Sequence, residues 1–150
     1  MATKLFLSHA HDEADLALSF ANWLERAFSS PVEVICTSRP DHRVEAMVTE
    51  GIVKHLRDSK AVLSLLTPES IRGPWMYYEM GAAHALELGF FPCLARGLRF
   101  SDSPPQAREY QGVELYSADS VAKLVRALAD RLQLGLADTI DAEAIAHRLS

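Results

Sequence analysis

The chain has 150 residues, with 15 basic against 20 acidic side chains and a net charge of −5. That length buries roughly two thirds of the unfolded surface, enough for one core and too little for two full-sized domains. The acidic balance excludes a basic face for nucleic-acid backbones, no run approaches the roughly 18 apolar residues of a membrane span, and the N-terminus lacks a signal-peptide pattern, so the expected compartment is the cytoplasm.

Apolar runs of strand length alternate with amphipathic stretches of helix length. Residues 4–8 predict a short buried strand. Residues 12–29 predict a helix with Leu16, Phe20, Trp23 and Leu24 at helical spacing and Asp12 as its N-cap. A second strand is expected over 32–37, then a polar loop over 38–43 and a helix over 44–57 carrying Met47, Ile52, Val53 and Leu56. Residues 61–67 form a continuous apolar run, which suits a strand covered on both faces.

The next helix should run from about Pro74 to Leu88, with proline in its first turn and Gly89 past its end. Residues 90–95 predict the fourth strand, 101–105 an extended loop, 113–116 a fifth strand and 121–132 the last strong helix. The alternation predicts an α/β fold: a five-stranded parallel sheet, flavodoxin-like, with helices on both faces. Residues 1–137 are expected to form the domain. Residues 138–150 hold a short helical pattern opened by Asp141, and read as a C-terminal tail that docks or, preferably, as a linker to a further domain.

Within this frame Glu79 stands out, because Tyr77, Tyr78, Met80, Gly81, Ala82 and Ala83 around it are aromatic, apolar or tiny. A carboxylate so placed loses hydration and costs several kcal/mol unless it is compensated, as active-site acids are. An acid early in a helix also complements the positive end of the helix dipole, for a few tenths of a kcal/mol, so both readings stand. Gly81, Ala82 and Ala83 leave room beside it for a ligand, and Trp75, four residues earlier, shares its helical face. Cys36 and Cys93 sit in strand-like runs and are expected to be reduced core thiols. His9 and His11 form a short pair without a distant partner cluster, so no metal site is expected.

In an open parallel sheet ligands gather beyond the carboxyl ends of the strands, where strand order reverses. The segments 8–11, 37–43 and 67–75 lie at those ends, and Glu79 is one turn into the helix that leaves the third strand.

The residues Leu5-Phe6-Leu7-Ser8-His9-Ala10, the run from Leu56 to Pro68 and the spacing Trp75-x-x-x-Glu79 together resemble a Toll/interleukin receptor (TIR) domain of the bacterial kind, over residues 4–134. The resemblance implies cleavage of NAD, as a substrate rather than a redox cofactor, between nicotinamide and ribose. The products would be nicotinamide and either ADP-ribose or a cyclic isomer, with no cofactor or metal. It implies Glu79 as the catalytic carboxylate and Trp75 beside it. Ser8, His9 and Ala10 would meet phosphate or ribose, and Thr37, Ser38, Arg39 and Arg43 would stand in the second loop, where the arginines either pair with diphosphate or form a solvated face. Self-assembly into an oligomer or filament, a sensor domain or partner protein, and a role in antiphage immunity are implied likewise. Two alternatives remain. One is a non-catalytic TIR adaptor. The other is an enzyme similar to nucleoside 2-deoxyribosyltransferases, to whose Glu-x-Gly-x-Ala pattern the segment from Glu79 to Gly89 is similar.

Overall fold

Side chains alternate between the two faces of a strand, so a strand buried on both faces feeds two separate cores. The computed structural model describes residues 2–39, 48–110 and 112–150, without the side chains of Trp75 and of residues 48–52. Strands β1 (Thr3–Ser8), β2 (Val32–Cys36), β3 (Ala61–Leu66), β4 (Gly89–Leu94) and β5 (Val113–Glu114) form one parallel sheet in the order β2-β1-β3-β4-β5. The helices are α1 (Ala14–Ala27), α2 (Val48–Asp58), α3 (Trp75–Ala85), α4 (Pro105–Arg108), α5 (Ala118–Leu132) and α6 (Ala142–Leu149).

Leu5, Leu7, Leu63 and Leu65 point to one face, where they meet Phe20 and Leu24 of α1 and Leu124 and Leu128 of α5. Phe6, Val62 and Phe90 point to the other, against Leu56 of α2 and Met76 and Met80 of α3. Each such side chain, once buried, contributes about 1.5–3 kcal/mol of transfer free energy. The five-stranded parallel α/β architecture is therefore the one expected from the alternating runs.

Several local expectations are corrected. Asp12 does not cap α1: residues His11–Glu13 make a 3-10 turn first, and neither this turn nor α1 has a side-chain cap. The carboxylate of Glu13 accepts a hydrogen bond from Thr67 Oγ1 instead. Thr37 and Thr67 fall just outside β2 and β3. β5 is two residues long, although the Leu115 N–H still reaches the Leu94 carbonyl at 2.8 Å. α3 stops at Ala85, and the chain turns through Glu87 at a φ of 59°. Gly89 is the first residue of β4, where a Cβ would lie 2.4 Å from Arg131 Nε. Residues 101–105 are not an extended loop, because a 3-10 turn spans Phe100–Asp102 and Pro105 opens α4. The expected loop positions 40–43 and helix positions 44–47 lie outside the described residues.

Residues 142–149 form a helix that docks on the domain. Asp141 caps α6 by accepting the Ala144 N–H at 3.1 Å, and its carbonyl accepts Trp23 Nε1–H of α1 at 2.8 Å. Ala142, Ile145, Ala146 and Leu149 are buried in the core shared with α1 and α5. An amphipathic stretch of this kind docks because leaving Ile145 and Leu149 in water forfeits their transfer free energy. Leu149→Ala is accordingly expected to lower unfolding stability by about 2–5 kcal/mol, read as a lower urea midpoint. An unchanged midpoint would mean that α6 does not contribute to the core.

Candidate functional site

The strand order reverses between β1 and β3, so the connections leaving these strands part in opposite directions and open a gap between them. A cavity of about 160 Å³ occupies that gap. Ser8, His9 and Ala10 form one wall at the end of β1, Ser64 belongs to β3, and Met76 and Glu79 of α3 close the cavity from above. Glu69, Ser70 and Gly73 complete the rim. Two of the lining side chains are carboxylates, one is an imidazole, and no lysine or arginine is present among the described ones.

Glu79 is only 1% exposed, and its carboxylate accepts the hydroxyl hydrogen bond of Ser8. The dipole reading of this acid loses force, since α3 has no acidic residue in its first turn and the dipole's influence fades beyond that turn. The small neighbours act differently from one another. Ala83 packs in the core, whereas a Cβ at Gly81 would meet nothing within 4 Å, so packing does not require glycine there.

The rim is held by polar contacts on two sides. The Thr67 N–H donates to Ser70 Oγ at 2.8 Å, the Ser70 N–H returns to Thr67 Oγ1 at 3.2 Å, and Thr67 Oγ1 donates to Glu13. His9 Nδ1 lies 2.7 Å from the Ala10 carbonyl, and Nε2 lies 2.7 Å from Ser38 Oγ. A carbonyl can only accept, so Nδ1 carries a proton and donates it to the Ala10 carbonyl.

Ser8, His9, Ala10 and Glu79 are thus brought together. Ser38 reaches this group through His9, and Thr37 lies in the turn behind it without lining the cavity. Arg39 is occupied elsewhere. It forms a fork with Glu25, Nη1 to Oε2 at 2.8 Å and Nη2 to Oε1 at 2.9 Å, and donates to Asn22 Oδ1 at 2.6 Å and the Val34 carbonyl at 2.9 Å. The hydrogen bonds it donates to Glu25 hold the guanidinium above its ordinary pKa. Arg43 and the Trp75 side chain lie outside the described residues.

Sequence reasoning missed Ser64, Glu69, Ser70 and the Glu13–Thr67 contact. Ser64 was discoverable, as the one polar residue of the run Ala61–Leu66, but the contact between residues 13 and 67 has no local signal. Among the described residues no three His, Cys, Asp or Glu side chains gather as a metal would require. No described helix is long and apolar enough to cross a membrane. Cys36 and Cys93 are buried thiols, both pushed up in pKa by that burial.

Lysine cannot reproduce the guanidinium fork, so Arg39→Lys is expected to destabilise the chain by about 1–2 kcal/mol, measured by urea unfolding. Unchanged stability with weakened substrate binding would return Arg39 to a ligand-contact role.

A family model described as "TIR domain" matches residues 5–133. Among solved structures, the chain is similar to a metazoan TIR-STING receptor from C. gigas in complex with 2',3'-cGAMP, at 23% identity and a TM-score of 0.57. The match covers 86% of this chain and 38% of that one, so this chain spans well under half the receptor's length. It is also similar to a prokaryotic SEFIR domain, at 15% identity and a TM-score of 0.60, covering 87% of this chain and 92% of that one. At these identities the two structures establish the fold. No curated protein matches the chain.

Proposed function

The chain belongs to the TIR-domain family, and from the acid-lined cavity at Glu79 we propose that it cleaves the bond between nicotinamide and ribose in NAD. The observation that carries this reading is a buried carboxylate inside a cavity at the strand-order reversal, with no lysine or arginine among its described lining. Such walls disfavour phosphate and favour a cation, and the nicotinamide ring of NAD is a pyridinium. The volume of about 160 Å³ is well below the roughly 300 Å³ at which sites for drug-sized ligands begin, so it suits one ring and its sugar carbon rather than a whole dinucleotide.

Departure of nicotinamide leaves positive charge on the ribose. A fixed carboxylate stabilises an oxocarbenium-like centre, and it is most effective where water is scarce. Ser8 donates its hydroxyl to Glu79 and so helps to fix the orientation of the carboxylate at the cavity. Attack by water then yields ADP-ribose, and attack by a base nitrogen yields a cyclic isomer. A non-catalytic adaptor role leaves the burial of Glu79 in a cavity without a purpose. By its family the activity would serve immune signalling, in bacterial antiphage defence.

Glu79→Gln keeps the shape and an acceptor for Ser8 while removing the charge. Nicotinamide release, followed by chromatography, should fall at least about a hundredfold, the scale of losing a preorganised electrostatic partner, with the melting temperature nearly unchanged. Turnover within a few-fold of wild type would sink the assignment. Base exchange between deoxynucleosides with NAD left intact would favour a deoxyribosyltransferase-like enzyme.

Since the cavity holds only the nicotinamide end, the diphosphate and adenosine need further surface, and we assign this to a second copy of the chain. Specific activity should then climb with protein concentration over a hundredfold range. Constant specific activity from a species that sediments as a monomer would contradict assembly.

A further inference from the structure

The sheet face beneath α3 is built in rows set by strand register. One row is Phe6, Val62 and Phe90, and the next is Ser8, Ser64 and Pro92. Ser64 thus sits beside Ser8, about 4.8 Å away across neighbouring parallel strands and on the same face. The two hydroxyls differ in their commitments. Ser8 donates to Glu79, whereas no hydrogen bond from any described residue reaches the Ser64 side chain. Ser64 is nevertheless only 1% exposed and lines the cavity. Ser64 is the one polar residue of the otherwise apolar strand Ala61–Leu66, and it stands where that strand borders the cavity.

We infer that Ser64 hydrogen-bonds the carboxamide of the nicotinamide ring and so sets the ring's orientation beside Glu79, an inference that rests on the NAD reading of the site. The chemistry narrows the choice. An anionic group is disfavoured by Glu69 and Glu79, and neither wall offers a described cation to offset it. A ribose hydroxyl is the natural partner of Glu79, which already accepts the Ser8 hydroxyl. A neutral amide carries a donor and an acceptor in one plane, and a serine hydroxyl complements either. Without a ring in place no described residue pairs with Ser64, and the carboxamide would supply its partner.

The test is a cycle of protein and ligand variants. Binding of nicotinamide and of pyridine, which lacks the carboxamide, is measured by ligand-observed NMR on wild type and Ser64→Ala, alongside NAD cleavage and thermal melts. Wild type should prefer nicotinamide, and Ser64→Ala should lose about tenfold of that preference while binding pyridine as before, the scale of one neutral hydrogen bond. KM for NAD should rise by a similar factor. The melting temperature of Ser64→Ala should hold, because no described residue pairs with this hydroxyl, whereas removing a structural serine would lower it. Equal weakening for both ligands, or a lowered melt, would overturn the role of Ser64. Wild-type cleavage of NAD with an unchanged preference in Ser64→Ala would overturn it too while leaving the NAD reading intact. A wild-type protein that neither cleaves NAD nor binds nicotinamide would remove the NAD reading and this inference together.

Discussion

The reversal of strand order between β1 and β3 is the constraint on which the site depends. Parallel strands require crossover connections, and two neighbouring strands whose crossovers leave in opposite directions cannot cover the space above their shared end. In this chain the uncovered space is small, because Met76 and Glu79 of α3 descend into it. Glu79 is consequently close to the sheet and to Ser8, and far from bulk water. Its burial follows from topology rather than from any special property of α3, a helix with no side-chain cap and no acid in its first turn.

That placement runs against the packing that surrounds it. The face beneath α3 is apolar at Phe6, Val62, Phe90, Leu66 and Leu94, and turns polar only where Ser8 and Ser64 come into register at the mouth of the gap. Taking a carboxylate and two hydroxyls out of bulk water costs free energy even where hydrogen bonds compensate, and the net stability of a domain is only about 5–15 kcal/mol. The two extended cores offset this, since each holds many fully buried leucines and phenylalanines. Local departures from apolar patterning of this kind gather where a chain serves a ligand.

The fold was legible because its signals are local. Runs such as the one that became Ala61–Leu66 declare a doubly buried strand by composition alone, and the alternation of runs and amphipathic stretches leaves few arrangements other than a parallel sheet. Glu79 was legible for a related reason, as a charge among apolar neighbours in sequence. What escaped depends on residues distant in sequence. Asp12 has the chemistry of a cap, yet the 3-10 turn preceding α1 and the pull of Thr67 on Glu13 decide the geometry there. Arg39 has the chemistry of a phosphate contact, yet Glu25 and Asn22, a helix earlier, take its fork. α6 is too short to declare by itself whether it docks, and Trp23 and the α1–α5 groove settle it. Ser64 was visible as a lone polar residue, but its significance depends on its register opposite Ser8.

The distant contacts share a single element. α1 lends no side chain to the cavity, yet Glu13, just ahead of it, holds Thr67 at the rim, and Glu25 near its other end holds Arg39, the residue after Ser38, which touches His9. Both segments flanking the cavity are therefore referenced to one rigid helix. That helix is in turn backed by α6, through the Trp23 hydrogen bond to the Asp141 carbonyl and the burial of Ile145 and Leu149. A site meant to hold reacting groups to within a fraction of an ångström needs such support from well-packed elements, because loops alone do not supply it. The C-terminal helix thus acts on the site at second hand: it stiffens α1, and α1 fixes the two segments between which Glu79 and the serine row face each other.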